Sequence, residues 1–326
     1  MEKFSLYLFY AGDITLLLAF FAFVVHTTLL ATATRARSTV GARSLALAGA
    51  GSGGAAGGTS TVGLDGSDGR SQPGMAGALG RLRTFGGGTT AGGIGQGLTW
   101  ATAFLIGGSM LMRAVIVGRG PWGNMFEFSV AFAFGIVAGY LFLGRRYPIR
   151  AIALLPLGVA LFLIGYAVSL PSSIEPLVPA LDNPPLITIH VAMAMISYGI
   201  FATSFGAAVA YLVQGQSDRY SWLPSHKVLD EVAYRAVIVG FPIFATLIIL
   251  GSWWASIAWG RYWGWDSKET SALVTWLIYA VYLHARNQKG WTGRPSALIL
   301  VIGFVAVMFT YFGNLYFAGL HSYSGL

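Results

Sequence analysis

The chain has no cysteine, and only 10% of its 326 residues are charged. Soluble domains carry about 25% charge. Without a thiol the chain forms no disulfide and cannot act as a thiol reductant, so any thiol chemistry must use a partner's cysteines. Acidic residues are scarcer than basic ones, 12 against 20. The alternating segments of about ten residues that mark outer-membrane strands are also missing, which argues against a β-barrel. No basic leader precedes the first apolar run, Leu6 to Leu30, and the run is too long for a signal-peptide core. It reads as a retained helix.

Apolar residues dominate instead. They make up 55% of the sequence, and the mean hydropathy is +0.66. A membrane core of roughly 30 Å needs about 20 apolar residues per helix. About eight segments qualify: 6–30, 98–117, 125–143, 150–168, 186–213, 234–251, 269–286 and 296–316. The expected fold class is all-α, a polytopic membrane protein with about eight transmembrane helices. Three parts follow: a first transmembrane helix (1–30), a linker (31–97) and a seven-helix membrane domain (98–326). The linker is rich in Gly, Ala, Ser and Thr and has no apolar periodicity, so it reads as a disordered stretch on the inner side. Its Gly51-Ser52-Gly53-Gly54 lacks the Lys and the preceding strand that a phosphate loop needs.

Net charge of +8 can indicate nucleic-acid binding, but in a membrane chain the position of the charges matters more. Basic residues concentrate on one side. Arg35, Arg37, Arg43, Arg70, Arg81, Arg83, Arg145, Arg146, Arg150, Arg219, Lys227, Arg235, Arg286, Lys289 and Arg294 fall there. Lys3, Arg113, Arg119, Arg261 and Lys268 fall on the other, a division of 15 against 5 among the 20. The richer side is read as inside, which puts both termini outside, together with the segment around Trp259. The stretch Ser169 to Pro185 then lies outside too. It carries Glu175, Asp182 and five prolines, which discourage a regular helix.

The segment from Ser252 to Glu269 holds five of the chain's 10 Trp: Trp253, Trp254, Trp259, Trp263 and Trp265. Tyr262, Gly260 and Gly264 lie among them, and Asp266-Ser267-Lys268-Glu269 closes the stretch. An interfacial aromatic belt explains one or two such residues per helix end. Five with interspersed glycines suit a platform for a large planar ligand. On the same outer side fall His190, at the start of the fifth segment, and His321, past the end of the eighth. Two imidazoles beside an aromatic platform fit a bis-histidine haem site. His284 lies fifteen residues past Glu269, about 22 Å down a helix, and His26 sits at similar depth on the first segment. His226 reads as a solvated loop residue.

This tryptophan-rich stretch resembles the WWD signature of haem-handling proteins in cytochrome c maturation, and within them the CcsA/ResC-type subunit of the System II cytochrome c synthetase. The resemblance runs from Pro121 to Tyr323 and includes Asn124 and Glu127. Ser267 stands where the family would have Pro. The resemblance implies that haem b is the transported substrate, held outside by His190 and His321 as axial ligands. Trp253, Trp254, Trp259, Tyr262, Trp263, Trp265 and Asp266 would be near it. His284 matches the family's transmembrane haem ligand; the companion subunit is held to supply its opposing ligand, although His26 could do so. Lys268 or Arg261 could pair with the propionates, while Asp266 and Glu269 could instead cap the seventh helix. The implied chemistry is thioether formation between haem vinyls and the thiols of Cys-x-x-Cys-His apocytochromes c, with this chain a subunit of a holocytochrome c synthase. Having no thiols, the chain cannot attach haem to itself. The implied partners are a companion membrane subunit with a large external domain, apocytochromes c and, indirectly, thiol-reducing proteins, but no nucleic acid. The implied location is the bacterial cytoplasmic membrane, or the thylakoid membrane in a plastid. Two alternatives stay open: a haem-delivery protein of another maturation pathway, and a haem or solute permease.

Overall fold

The structure, a computed structural model, describes residues 1–51, 89–174, 176–181, 184–317 and 319–321. They form eight α-helices with no strand among the described residues: α1 (Glu2–Gly51), α2 (Thr90–Val117), α3 (Met125–Gly144), α4 (Leu154–Val168), α5 (Pro184–Gln214), α6 (His226–Trp259), α7 (Ser267–Lys289) and α8 (Arg294–Tyr316). The all-α reading holds. Among the described residues, six of these are long and apolar enough to cross a membrane. The other two expected spans are helices of a different kind. α4 has only 15 residues, because a 3₁₀ turn at Arg150–Ile152 takes the start of its apolar run. α7 has the length, but its polar residues leave it less apolar than the six.

Local chemistry sets the ends. Thr89 and Asn124 cap α2 and α3 by accepting from Gly92 N–H and Glu127 N–H. Gly118, Gly260 and Gly290 stop α2, α6 and α7 with φ of 66°, 69° and 59°, a region that favours glycine. Two boundaries depart from expectation. α1 runs on to Gly51 and α2 starts at Thr90, so the linker is shorter than 31–97. Its Ala-rich opening, from Ala31, favours helix until glycines accumulate. Residues 52–88, Glu175 and Asp182 lie outside the described residues. α6 continues to Trp259, so Trp253, Trp254 and Trp259 are helical, and the predicted loop 252–269 shrinks to the turn from Gly260 to Asp266.

α1 packs along α2, α5 along α6 and against α3, and α7 along α8. Small residues permit the closest crossing. Gly135 and Gly139 of α3 face Gly199 of α5, and a Cβ on Gly139 would lie 2.7 Å from the Gly199 carbonyl. Glu127 ties the connecting segments to this pair. It is 2% exposed and meets Arg113 at 3.0 Å, Arg119 at 3.4 Å and Gly123 N–H at 2.8 Å. Arg113 and Asn124 also donate to the Ser172 and Ser173 carbonyls, pinning the proline-rich segment over α2 and α3. Between α4 and the start of α5 at Pro184, the described residues of that segment are non-helical apart from a 3₁₀ turn at Pro179–Leu181, as its prolines suggest.

Candidate functional site

Consecutive helices run in opposite directions, so the starts of α3, α5 and α7 meet the ends of α6 and α8 at one end of the bundle. A cavity of about 120 Å³ opens there. Trp122, Phe128, His190, Tyr198, Trp254, Trp263, Lys268 and His321 are among its lining residues. The structure thus brings together two histidines 131 residues apart in sequence (321 − 190).

Trp254 links them. Its indole is 2% exposed, stacks on His190 with centroids 6.1 Å apart, and lies 5.5 Å from the His321 ring. Its Nε1–H donates to the Ala180 carbonyl at 3.0 Å, which fixes the ring. Trp259 packs edge-on to His321 at 4.9 Å.

Each imidazole is oriented through Nδ1. His190 Nδ1 lies 3.0 Å from the Leu247 carbonyl. A carbonyl only accepts, so Nδ1 carries the proton and Nε2 the lone pair. His321 Nδ1 lies 2.6 Å from Asp266 Oδ2. Burial alone would raise the Asp266 carboxyl. The hydrogen bonds from His321 and from Glu269 N–H outweigh it and hold the group at about 2. Burial pushes His321 below its ordinary value, more than Asp266 raises it. At neutral pH the pair is therefore a carboxylate and a neutral imidazole, again with its lone pair on Nε2. A partner on one ring nitrogen that leaves the other as the donor atom is the usual arrangement of metal-binding histidines.

The open question on Asp266 and Glu269 is answered by a capping box. Asp266 Oδ1 accepts from Glu269 N–H at 2.9 Å, while Glu269 Oε2 accepts from Asp266 N–H at 3.3 Å and Gly264 N–H at 2.7 Å. Asp266 therefore both caps α7 and supports His321. Lys268 lines the cavity, lies 5.0 Å over the Phe128 ring and makes no ion pair among the described residues. Trp122 and Trp263 bring buried Nε1–H groups to the same cavity, with no acceptor among the described residues. Sequence reading missed Trp122, Phe128 and Tyr198, since Trp122 reads as an ordinary interfacial aromatic before a helix and the other two as ordinary apolar helix residues.

Other expected residues stand apart. Trp253, Tyr262 and Trp265 are 56%, 65% and 69% exposed and line none of this cavity, because in the α6 helix Trp253 points away from Trp254, and the turn carries the other two outward. Trp265 holds a φ of 58°, unusual for a bulky residue. Arg261 is exposed and packs on Gly264. His284 is exposed on the flank of α7. Beside it, Arg286 donates to Asp230 at 2.9 and 2.6 Å. His26 is buried at the opposite end of the bundle in a second cavity with Gln96, Tyr140, Arg150 and Trp222, its Nδ1 2.7 Å from Thr89 Oγ1. His284 lines neither cavity, so the structure does not pair it with His26. His226 starts α6 and contacts Asp218, rather than lying in a loop.

The chain is similar in sequence to known proteins. Cytochrome c biogenesis protein CcsA of Guillardia theta is 34% identical over 260 residues, 72% of this chain and 86% of the relative. That of Prochlorococcus marinus (strain MIT 9312) is 33% identical over 258 residues, 69% and 83% of the two chains. That of Mesostigma viride is 34% identical over 235 residues, 62% and 77%. Residues 122–321, from the cavity's Trp122 to its His321, match the family described as cytochrome C assembly protein. This chain belongs to the cytochrome c assembly protein family.

Proposed function

We propose that this integral membrane protein works in cytochrome c biogenesis by holding haem b at the His190/His321 cavity and presenting it for attachment to Cys-x-x-Cys-His apocytochromes c. The observation that carries the reading is the pair of imidazoles, each held through Nδ1 with its lone pair on Nε2, beside a wall of indoles. Two neutral imidazoles suit haem iron. The aromatic wall suits a porphyrin face and edge. Lys268 and the indole N–H groups of Trp122 and Trp263 supply a cation and two donors where propionates need them. The open volume is smaller than the roughly 300–1,000 Å³ of ordinary ligand sites, so part of a porphyrin would project from the cavity. Its vinyl edge would then be accessible to a partner's thiols.

The chain's residues then orient the substrate, and the acceptor brings the nucleophiles. Haem supplies the vinyl carbons that become thioethers. The charge asymmetry of the sequence supports a cavity on the outer face of a bacterial cytoplasmic or thylakoid membrane. The exposure of His284 on the flank of α7 supports its reading as a haem ligand whose opposing ligand comes from a companion subunit with an external domain. His26 would serve the inner side.

Ultraviolet–visible spectra of the purified protein with its companion test the reading. The wild type should show a low-spin bis-imidazole spectrum. His190→Ala and His321→Ala should lose or shift it, and added imidazole should restore it. His284→Ala should lower haem loading without altering the outer-site spectrum. Haem-free wild type, or unchanged spectra in both cavity variants, would overturn the reading.

A further inference from the structure

We infer that His190 and His321 are unequal ligands, with Asp266 strengthening His321, so that His190 is the one that yields when the acceptor's own histidine takes the iron. The inference rests on the bis-imidazole reading above and adds the order of release.

The two Nδ1 acceptors differ in kind. His190 donates to a neutral backbone carbonyl, Leu247 O, at 3.0 Å. That carbonyl lies within α6, where an α-helical turn directs it to the N–H of Gly251 four residues on, so the imidazole shares it. His321 donates to a side-chain carboxylate at 2.6 Å. Charge-assisted bonds of this kind are shorter and roughly twice as strong as neutral ones. A carboxylate on Nδ1 also pushes electron density towards Nε2 and raises its basicity as a metal ligand.

Asp266 has little freedom to weaken that contact. Its Oδ1 caps α7 through Glu269 N–H, and its Oδ2 receives His321 N–H at 3.3 Å as well as the ring. Gly319 keeps the approach open, since a Cβ there would lie 3.1 Å from Oδ2. His190 is held mainly by shape: the Trp254 stack, and the hollow left by Gly251, where a Cβ would lie 2.7 Å from the ring. Shape positions an imidazole without strengthening its bond to iron.

The exchange balances simply. The bond from iron to His190 Nε2 breaks and one to the acceptor's imidazole forms. Both are neutral two-electron donors, so no electron and no proton changes hands. Asp266 is thus a positioning residue that acts through His321.

The test uses the haem-loaded protein with its companion. Asp266→Asn keeps the Oδ1 cap, because Asn caps as well as Asp, but removes the carboxylate. The expected results are a raised midpoint potential and haem affinity lower by about 10- to 100-fold, as for other outer-shell partners. Order of release is read separately in His190→Gly and His321→Gly, each loaded with isotopically labelled imidazole in the vacated place. A Ser-x-x-Ser-His peptide, which can ligate but not form thioethers, is then added. The peptide should release labelled imidazole from the His190→Gly protein and leave it bound in the His321→Gly protein, and this arm stands even if Asp266→Asn fails to fold. The reverse pattern, or an unchanged potential in folded Asp266→Asn, overturns the inference while leaving the bis-imidazole site intact. Unaltered spectra in both histidine variants would instead overturn the underlying reading.

Discussion

At the scale of single residues, the site depends on side chains that are small as much as on those that are reactive. Gly251 has ordinary helical geometry and no binding group, yet only its missing Cβ lets the His190 ring approach α6 and reach the Leu247 carbonyl. Gly251→Ala should therefore displace His190, and the low-spin spectrum should weaken and recover with imidazole. Fold stability should change by no more than about 1–3 kcal/mol, the usual cost of overpacking, measured by thermal denaturation in detergent. An unchanged spectrum would show that His190 does not need this hollow. The sequence marks Gly251 only as one glycine among 44. By contrast Asp266 was legible as a cap from its place three residues before Glu269. Its second duty to His321, 55 residues on, was not.

Among the elements, one buried carboxylate organises the approach to the site. Glu127 faces both Arg113 and Arg119, and through Arg113 it fixes the segment that supplies Ala180, the acceptor for Trp254. A Glu at the start of a helix is already accounted for by the helix dipole, so its position in the sequence points to no partner. Glu127→Ala leaves two guanidiniums without their carboxylate. Breaking a buried pair costs about 3–5 kcal/mol, so a large fall in melting temperature is expected, with Glu231→Ala, from the exposed Glu231–Arg235 pair on α6, as the near-neutral comparison. A small change would mean that water reaches and solvates the arginines. The boundaries of α6 also belong here. Apolar content falls after Leu250, but the helix continues to Trp259, because Trp, Ala, Ser and Ile all tolerate helix and nothing before Gly260 stops it. That continuation sends Trp253 and Trp254 in different directions and divides a run of aromatics that looked like one platform.

For the whole molecule, the lack of cysteine offers a direct test of orientation. Single cysteines placed at Arg261, in the turn after α6, and at Ser217, in the turn after α5, are the only thiols in their chains. A membrane-impermeant maleimide added to intact cells should label the Arg261 site and spare the Ser217 site until the membrane is opened. The reverse would invert the topology and move the His190/His321 cavity to the inner side. Alternation of helix direction makes this one experiment sufficient for the cavity, because α3, α5 and α7 all begin at the end where α6 and α8 finish.

Composition and hydrophobic run length determined the class of the molecule, because a membrane admits few structures and helices satisfy their backbone within themselves. The positions of the eight helices followed from the same runs, and the tryptophan stretch and its neighbouring histidines drew attention to the end of the bundle where the His190/His321 cavity opens. Tertiary structure alone decided which of those residues meet. Helix phase turned Trp254 towards the histidines and Trp253 away from them. Packing placed His284 on the flank of α7 and His26 in a separate cavity. The choice between capping and cofactor contact for Asp266 was also made by packing, which set His321 against the carboxylate that already begins α7. Such contacts join residues far apart in the chain, and their energies depend on distances that no local pattern encodes.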